Sequence, residues 1–221
     1  MTHLQKLTIF GHYAKRLGRS RITLRFKPGV TLLVGPNGSG KSTVIECLRR
    51  EVLAKVKTNE WGDRAKDQKR YASWDVVGET PLPPFYFDFE KDNPRVGGSD
   101  GTMSLADIRR MQMRWKYAGR SHGQFTKDVL AELESKLISK KGLAFVLIDE
   151  PEQALDLEGM RGLHSILRRT DLAQAIVATH HPFLIAEPAF NCVEMRAGYR
   201  NEVVDSILKA ADFWRNRCRD Q

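Results

Sequence analysis

One short stretch, Gly35-Pro36-Asn37-Gly38-Ser39-Gly40-Lys41-Ser42-Thr43, limits what this chain can fold into more than any other part of it. Gly35 to Ser42 has the spacing G-x-x-x-x-G-K-[ST]. Before it stands an apolar run, Val30 to Val34. After it, Val44, Ile45, Leu48, Val52, Leu53 and Val56 recur at helical spacing from Lys41 to Val56. Strand, glycine loop and helix in that order make a phosphate cradle. The glycines let successive backbone N–H groups turn inward around a β-phosphate. The helix presents its positive dipole end to the anion. Lys41 reaches the β- and γ-phosphates, and the Ser42 hydroxyl ligates Mg²⁺. A turn that merely joined a strand to a helix would need neither Lys nor Ser at those offsets. ATP and Mg²⁺ are the implied ligands.

A second constellation is Phe145-Val146-Leu147-Ile148-Asp149-Glu150. An apolar strand ends in two acids at its carboxyl edge, where α/β sheets place ligands. Asp149 is expected to hold Mg²⁺, directly or through water, and Glu150 to polarise an attacking water as general base. Further on comes Val177-Ala178-Thr179-His180-His181-Pro182. An imidazole at the end of this buried strand can donate to a γ-phosphate and orient the water. His180 is the first choice and His181 the alternative. The catalytic set is therefore Lys41, Glu150 and His180, the reaction hydrolysis of ATP, and Ser42 with Asp149 the metal pair.

The rest of the chain fits an α/β fold: a P-loop NTPase core with a mainly parallel sheet, N-terminal antiparallel strands and an inserted, mostly helical lobe. Leu4 to Phe10 and Arg21 to Phe26 alternate apolar and polar residues as half-buried strands do. Residues 57–120 are polar and rich in Gly and Pro, apart from Phe85-Tyr86-Phe87-Asp88-Phe89, and read as short helices and loops. Phe125 to Ser139 reads as helix and Leu143 to Ile148 as a buried strand. Helices follow at Leu157 to Arg169 and Asp205 to Arg217, with strands at Ala173 to Ala178 and Asn191 to Met195. The expectation is a single domain over 1–221 with a lobe at about 57–140.

At 221 residues the chain can bury a core without disulfides or structural metals. Cys47, Cys192 and Cys218 are far apart and lack metal-ligand spacing, which implies free thiols in a reducing compartment. No apolar stretch approaches the roughly 20 residues of a membrane helix, so a cytoplasmic protein without direct membrane insertion is expected. The net charge is +9, with basic residues gathered at Lys15 to Lys27, Arg109 to Arg120, and Arg215, Arg217 and Arg219. That balance suits a polyanion such as nucleic acid, or else a solvated surface. Trp61, Trp74, Trp115 and Trp214 lie among these cations. They suit lobe packing better than base stacking. Met111, Met113 and Trp115, interleaved with arginines, form a candidate partner surface.

The order of phosphate loop, acidic strand end and histidine resembles the ATP-binding cassette ATPases. Ser121-His122-Gly123-Gln124 resembles a degenerate form of that family's Leu-Ser-Gly-Gly-Gln signature, and Ala154-Leu155-Asp156 resembles its D-loop. The resemblance implies that Ser121, Gly123 and Gln124, with Asp156, complete the site of a second copy. A head-to-tail homodimer would then sandwich two ATP molecules. Ser121 could alternatively be an ordinary helix cap. The opening Leu4 to Phe26, Asp149-Glu150-Pro151-Glu152 and Ala178-Thr179-His180-His181-Pro182-Phe183 are similar to SMC-like and stand-alone ATPases. That likeness implies a switch coupled to nucleic acid or to a defence or repair effector protein. Phe125-Thr126-Lys127 stands where transporter cassettes usually carry a Gln-Arg pair. The insert is too short for the long coiled coil of SMC proteins.

The family's lobe-junction Gln is missing from Tyr86 to Lys91, where Asp88 or Glu90 could substitute. Tyr13 lies about where an adenine-stacking aromatic belongs, although an ordinary packed tyrosine fits better. Lys15 and Arg16 could reach the phosphates. Two other readings compete with the switch: the nucleotide-binding subunit of a transporter, and a P-loop kinase.

Overall fold

The computed structural model describes residues 4–11, 14–15, 17–56, 73–78, 85–88, 130–131, 133–134, 145–153, 155–169 and 174–218. Among them run β1 (Leu4–Phe10), β2 (Arg21–Arg25), β3 (Gly29–Val34), α1 (Lys41–Val56), β4 (Ser73–Gly78), β5 (Phe85–Asp88) and β6 (Phe145–Asp149). A 3₁₀ turn (Pro151–Gln153) leads to α2 (Leu157–Leu167), β7 (Gln174–Thr179), α3 (Pro182–Ile185), β8 (Asn191–Glu194) and α4 (Tyr199–Arg217).

The strands form two sheets. A five-stranded sheet has the order β5-β6-β7-β3-β8, and every neighbouring pair in it is parallel. A three-stranded antiparallel sheet has the order β2-β1-β4. β3, β6 and β7 are buried on both faces, as their apolar runs require. Leu33, Leu147, Ile176 and Ala178 face α1 and the antiparallel sheet, packing with Val44, Ile45, Leu48, Leu7 and Ile9. Leu32, Val34, Val146, Ile148 and Val177 face the other way, onto Met160, Leu163 and Ile166 of α2 and Leu184 and Ile185 of α3. The parallel sheet is thus the middle of three layers.

A single buried side chain ties the two sheets. Gln174 Oε1 accepts from the Leu4 N–H at 2.9 Å, and its Nε2 donates to Leu4 O at 2.9 Å and Lys27 O at 3.2 Å. The amide satisfies the start of β1 from the first residue of β7, which is the condition for burying a polar group without penalty.

Two expectations need correction. Residues 57–120 are not only short helices and loops: β4 extends the antiparallel sheet and β5 is an edge strand of the parallel one. The alternation in β4, Ser73-Trp74-Asp75-Val76, is only four residues long and gave a weak periodic signal. The closing helix begins at Tyr199, not Asp205. Its N-terminal turn is stabilised by Glu194 Oε2, which accepts from the Tyr199 N–H at 3.1 Å, a contact invisible in local sequence. Residues 130–131 and 133–134 are helical, within the expected Phe125 to Ser139 segment. The three cysteines are free. Burial pushes the Cys192 thiol up, so it stays protonated and inert. No helix among the described residues is long and apolar enough to cross a membrane.

Candidate active site

Parallel pairing fixes where the functional residues gather. Val34 lies opposite Thr179, and Asp149 opposite Ala178. The carboxyl ends of β3, β6 and β7 therefore share one edge, which carries the phosphate loop, the two acids and the histidines.

The loop needs its glycines. Gly38 has φ +76° and Gly40 φ +95°, conformations that residues with a Cβ avoid. A Cβ on Gly35 would stand 2.6 Å from Ser39 Oγ, and one on Gly40 would stand 2.5 Å from Leu17 Cδ2. The loop is thereby pressed against the turn after β1. Ser39 Oγ is buried and has no hydrogen-bond partner, an orphan that an anion's surroundings can use. Asn37 and Gly38 are exposed, as is Ser42 on the first turn of α1.

Lys41 is only 3% exposed. Its ammonium donates to Gly35 O at 3.0 Å and Pro36 O at 3.3 Å, and pairs with Glu150 Oε1 at 3.7 Å. The Ser42 hydroxyl donates to Asp149 Oδ1 at 3.2 Å. A hydroxyl and a carboxylate side by side at a phosphate cradle are the oxygen donors a hard dication takes. Among the described residues no group of three or more His, Cys, Asp or Glu could hold a metal by itself. Ser42 and Asp149 would instead share Mg²⁺ with phosphate oxygens.

Glu150 adopts φ +43°, alone among the described non-glycine residues in the left-handed region. Its N–H donates to Ala178 O at 2.9 Å, and Gln153 Nε2 donates to its carboxylate. A bulky acid held in that conformation costs on the order of 1–3 kcal/mol. Such strain concentrates where a side chain must be aimed.

The two histidines differ. His181 is the N-cap of α3, its Nδ1 accepting from the Phe183 N–H at 3.3 Å. The His180 ring is part-exposed beside the acids, with Nδ1 3.0 Å from Glu152 Oε1. The His180 ring, unlike that of His181, caps no helix. Asp156 is the N-cap of α2, accepting from the Gly159 N–H at 2.8 Å. Asp88 sits beside Asp149 in strand register. Lys15 is exposed. Ser121, Gly123, Gln124, Tyr13, Arg16, Glu90, Ala154 and the Arg109 to Arg120 cluster lie outside the described residues.

Sequence reasoning gave no role to Gln153, Thr179 or Glu152, although the last two lie within the motifs that carry the family resemblance. Also missed was a cavity of about 380 Å³ beside the loop, lined by Leu17, Gly18, Arg19, Ile22, Gly38, Ser39 and Met195.

The "AAA domain" family matches residues 9–73. A protein of Pyrococcus abyssi, provisionally named an ABC transporter ATP-binding protein, is 28% identical over 193 residues, 80% of this chain and 73% of its own. The chromosome partition protein Smc of Mycobacterium leprae is 50% identical over 46 residues, 21% of this chain and 4% of its own. The DNA replication and repair protein RecF of Roseiflexus castenholzii is 35% identical over 85 residues, 38% of this chain and 18% of its own. The chain spans only a small part of the last two. Relatives thus divide between transporter ATP-binding proteins and the SMC and RecF proteins. A phosphate loop on a parallel sheet, acids at the same sheet edge and these likenesses make the chain a P-loop ATPase of the AAA/ABC type.

Proposed function

We propose that the chain works as an ATP-driven dimerising switch in which each copy supplies half of every catalytic site. The observation that carries this is the geometry of Lys41, Ser42, Asp149, Glu150 and His180 at one sheet edge. Lys41 binds the β- and γ-phosphates, taking them in exchange for Gly35 O, Pro36 O and Glu150. Ser42 and Asp149 would hold Mg²⁺, which would supply positive charge to the phosphates. Glu150 takes a proton from water as its oxygen bonds to the γ-phosphorus, and the bond to the bridging oxygen of ADP breaks. His180 orients that water. The cavity between Leu17, Ile22 and Met195 adjoins the phosphate loop and suits the nucleoside. Leu17, Ile22 and Met195 offer it apolar contact, beside the polar side chains of Arg19 and Ser39.

Ser121, Gly123 and Gln124 of a second copy, together with its Asp156, close over the γ-phosphate in this reading. Glu150→Gln keeps the shape but removes the base, so it should trap an ATP-bound dimer. Light scattering after gel filtration in excess Mg-ATP should give twice the monomer mass. A monomer under those conditions would discard the dimer model.

The output has two readings. Relatives that cover most of the chain favour the nucleotide-binding subunit of a transporter, and copurification with a membrane protein tests it. A specific observation favours nucleic acid, with a defence or repair effector downstream. No Asp or Glu precedes Glu46. Arg21 and Arg25 are exposed on edge strand β2, and Lys6 and Phe10 face them across β1. The Arg21 guanidinium lies 5.9 Å from the Phe10 ring centre. This cationic row with an aromatic beside it suits a phosphate backbone.

A further inference from the structure

Glu152 takes no part in the hydrolytic set above, yet its carboxylate is the most heavily engaged acid at the catalytic edge. Its side chain is only 6% exposed. Both carboxylate oxygens accept from the Thr179 hydroxyl, at 3.0 and 2.9 Å. Oε1 also accepts from the His180 backbone N–H at 2.6 Å. The same oxygen stands 3.0 Å from His180 Nδ1, at ion-pair distance though off the line of a ring hydrogen bond. Thr179 Oγ1 in turn accepts from the His181 N–H at 3.0 Å. One carboxylate thus organises the whole turn from Thr179 to His181.

Burying a carboxylate this deeply is costly unless several donors face it, and here the donors all belong to the histidine turn. Glu152 follows Glu150 after only Pro151, on the 3₁₀ turn. We infer that Glu152 is a positioning residue. It holds His180 so that Nδ1 faces the protein and Nε2 faces the cleft, and it locks that ring to the segment that carries Glu150. The carboxylate 3.0 Å from Nδ1 puts a negative charge against that edge of the ring. This inference rests on the assignment of His180 in the proposed function.

The test is a double-mutant cycle on the full chain, following kcat and KM for ATP, with a thermal melt for each variant. Glu152→Gln keeps length and one acceptor oxygen but sets a neutral amide against Nδ1. It should lower kcat about tenfold or more while leaving KM within about twofold. His180→Ala should lower kcat at least as much. The double variant should be no slower than His180→Ala, because Glu152 acts through the ring. Ring nitrogen shifts from histidine-labelled protein, with His180 identified by its loss in His180→Ala, give a second reading. The Nδ1 signal of His180 should move in Glu152→Gln. Multiplying rate effects, or an unchanged Nδ1 signal, would overturn the inference alone. A wild-type kcat in His180→Ala would overturn both the role of His180 and the inference built on it.

Discussion

Lys41 Nζ stands 3.7 Å from Glu150 Oε1, so the phosphate-binding cation and the candidate base are partners within one copy. Each limits the other. The ammonium is buried and must be released to phosphate oxygens before the carboxylate is free for water. Lys41→Met should therefore cut ATP hydrolysis by about 10²–10³-fold, the scale for removing a preorganised charge from a developing anion. Fluorescent-nucleotide titration and phosphate release together check this. A variant that still turns over within tenfold of the parent would exclude Lys41 from the reaction.

Gly38 and Gly40 both have positive φ, but only Gly40 is crowded by Leu17. Gly38→Ala should destabilise by about 1–2 kcal/mol from backbone strain alone. Gly40→Ala carries the same strain and must also shift the end of the Leu17 side chain, so it should cost at least as much. Denaturant unfolding of the two variants separates the terms. Equal losses would mean that Leu17 moves aside freely.

Glu187 accepts from the Ala189 N–H at 3.0 Å and pairs with His164 Nε2 at 2.6 Å, with Arg168 3.6 Å away. The Ala189 N–H, then the His164 hydrogen bond and the Arg168 charge, hold its carboxyl below the ordinary value, against burial. A carboxyl that is more acidic in the folded state stabilises the fold fully above its unfolded-chain pKa. That contribution disappears as pH falls through the lower folded value. Thermal melts of the parent and Glu187→Gln should therefore differ most near neutral pH and converge in acid below the usual carboxylate range. A gap that persists there would place the effect in packing.

Arg21 and Arg25 should each add about one unit to the salt slope of nucleic-acid binding. Anisotropy titrations of a labelled oligonucleotide against salt, for the parent and an Arg21→Ala/Arg25→Ala double variant, check it. An absent slope in the parent would remove nucleic acid as a partner of this face and leave the transporter reading ahead.

The phosphate loop was legible because its chemistry is compressed into a few adjacent residues with a rigid spacing. The acids were legible because an apolar run ends on them. Lys41, Ser42, Asp149 and Glu150 accordingly lie together at one edge, although they come from distant parts of the chain. Glu152 and Gln174 were not legible. Their partners are remote in sequence, Thr179 and His180 for one and Leu4 and Lys27 for the other. No local pattern marks a polar side chain that is buried for a distant backbone. The choice between His180 and His181 also needed three dimensions. Adjacent histidines look alike until one of them caps a helix.

Gln174 opens β7 and Thr179 closes it. The first grips the antiparallel sheet and the second hands its hydroxyl to Glu152 beside His180. β7 is thus a tie rod. The strand is short and buried along its whole length, so the outer sheet and the histidine turn are fixed to the same rigid element of the parallel sheet.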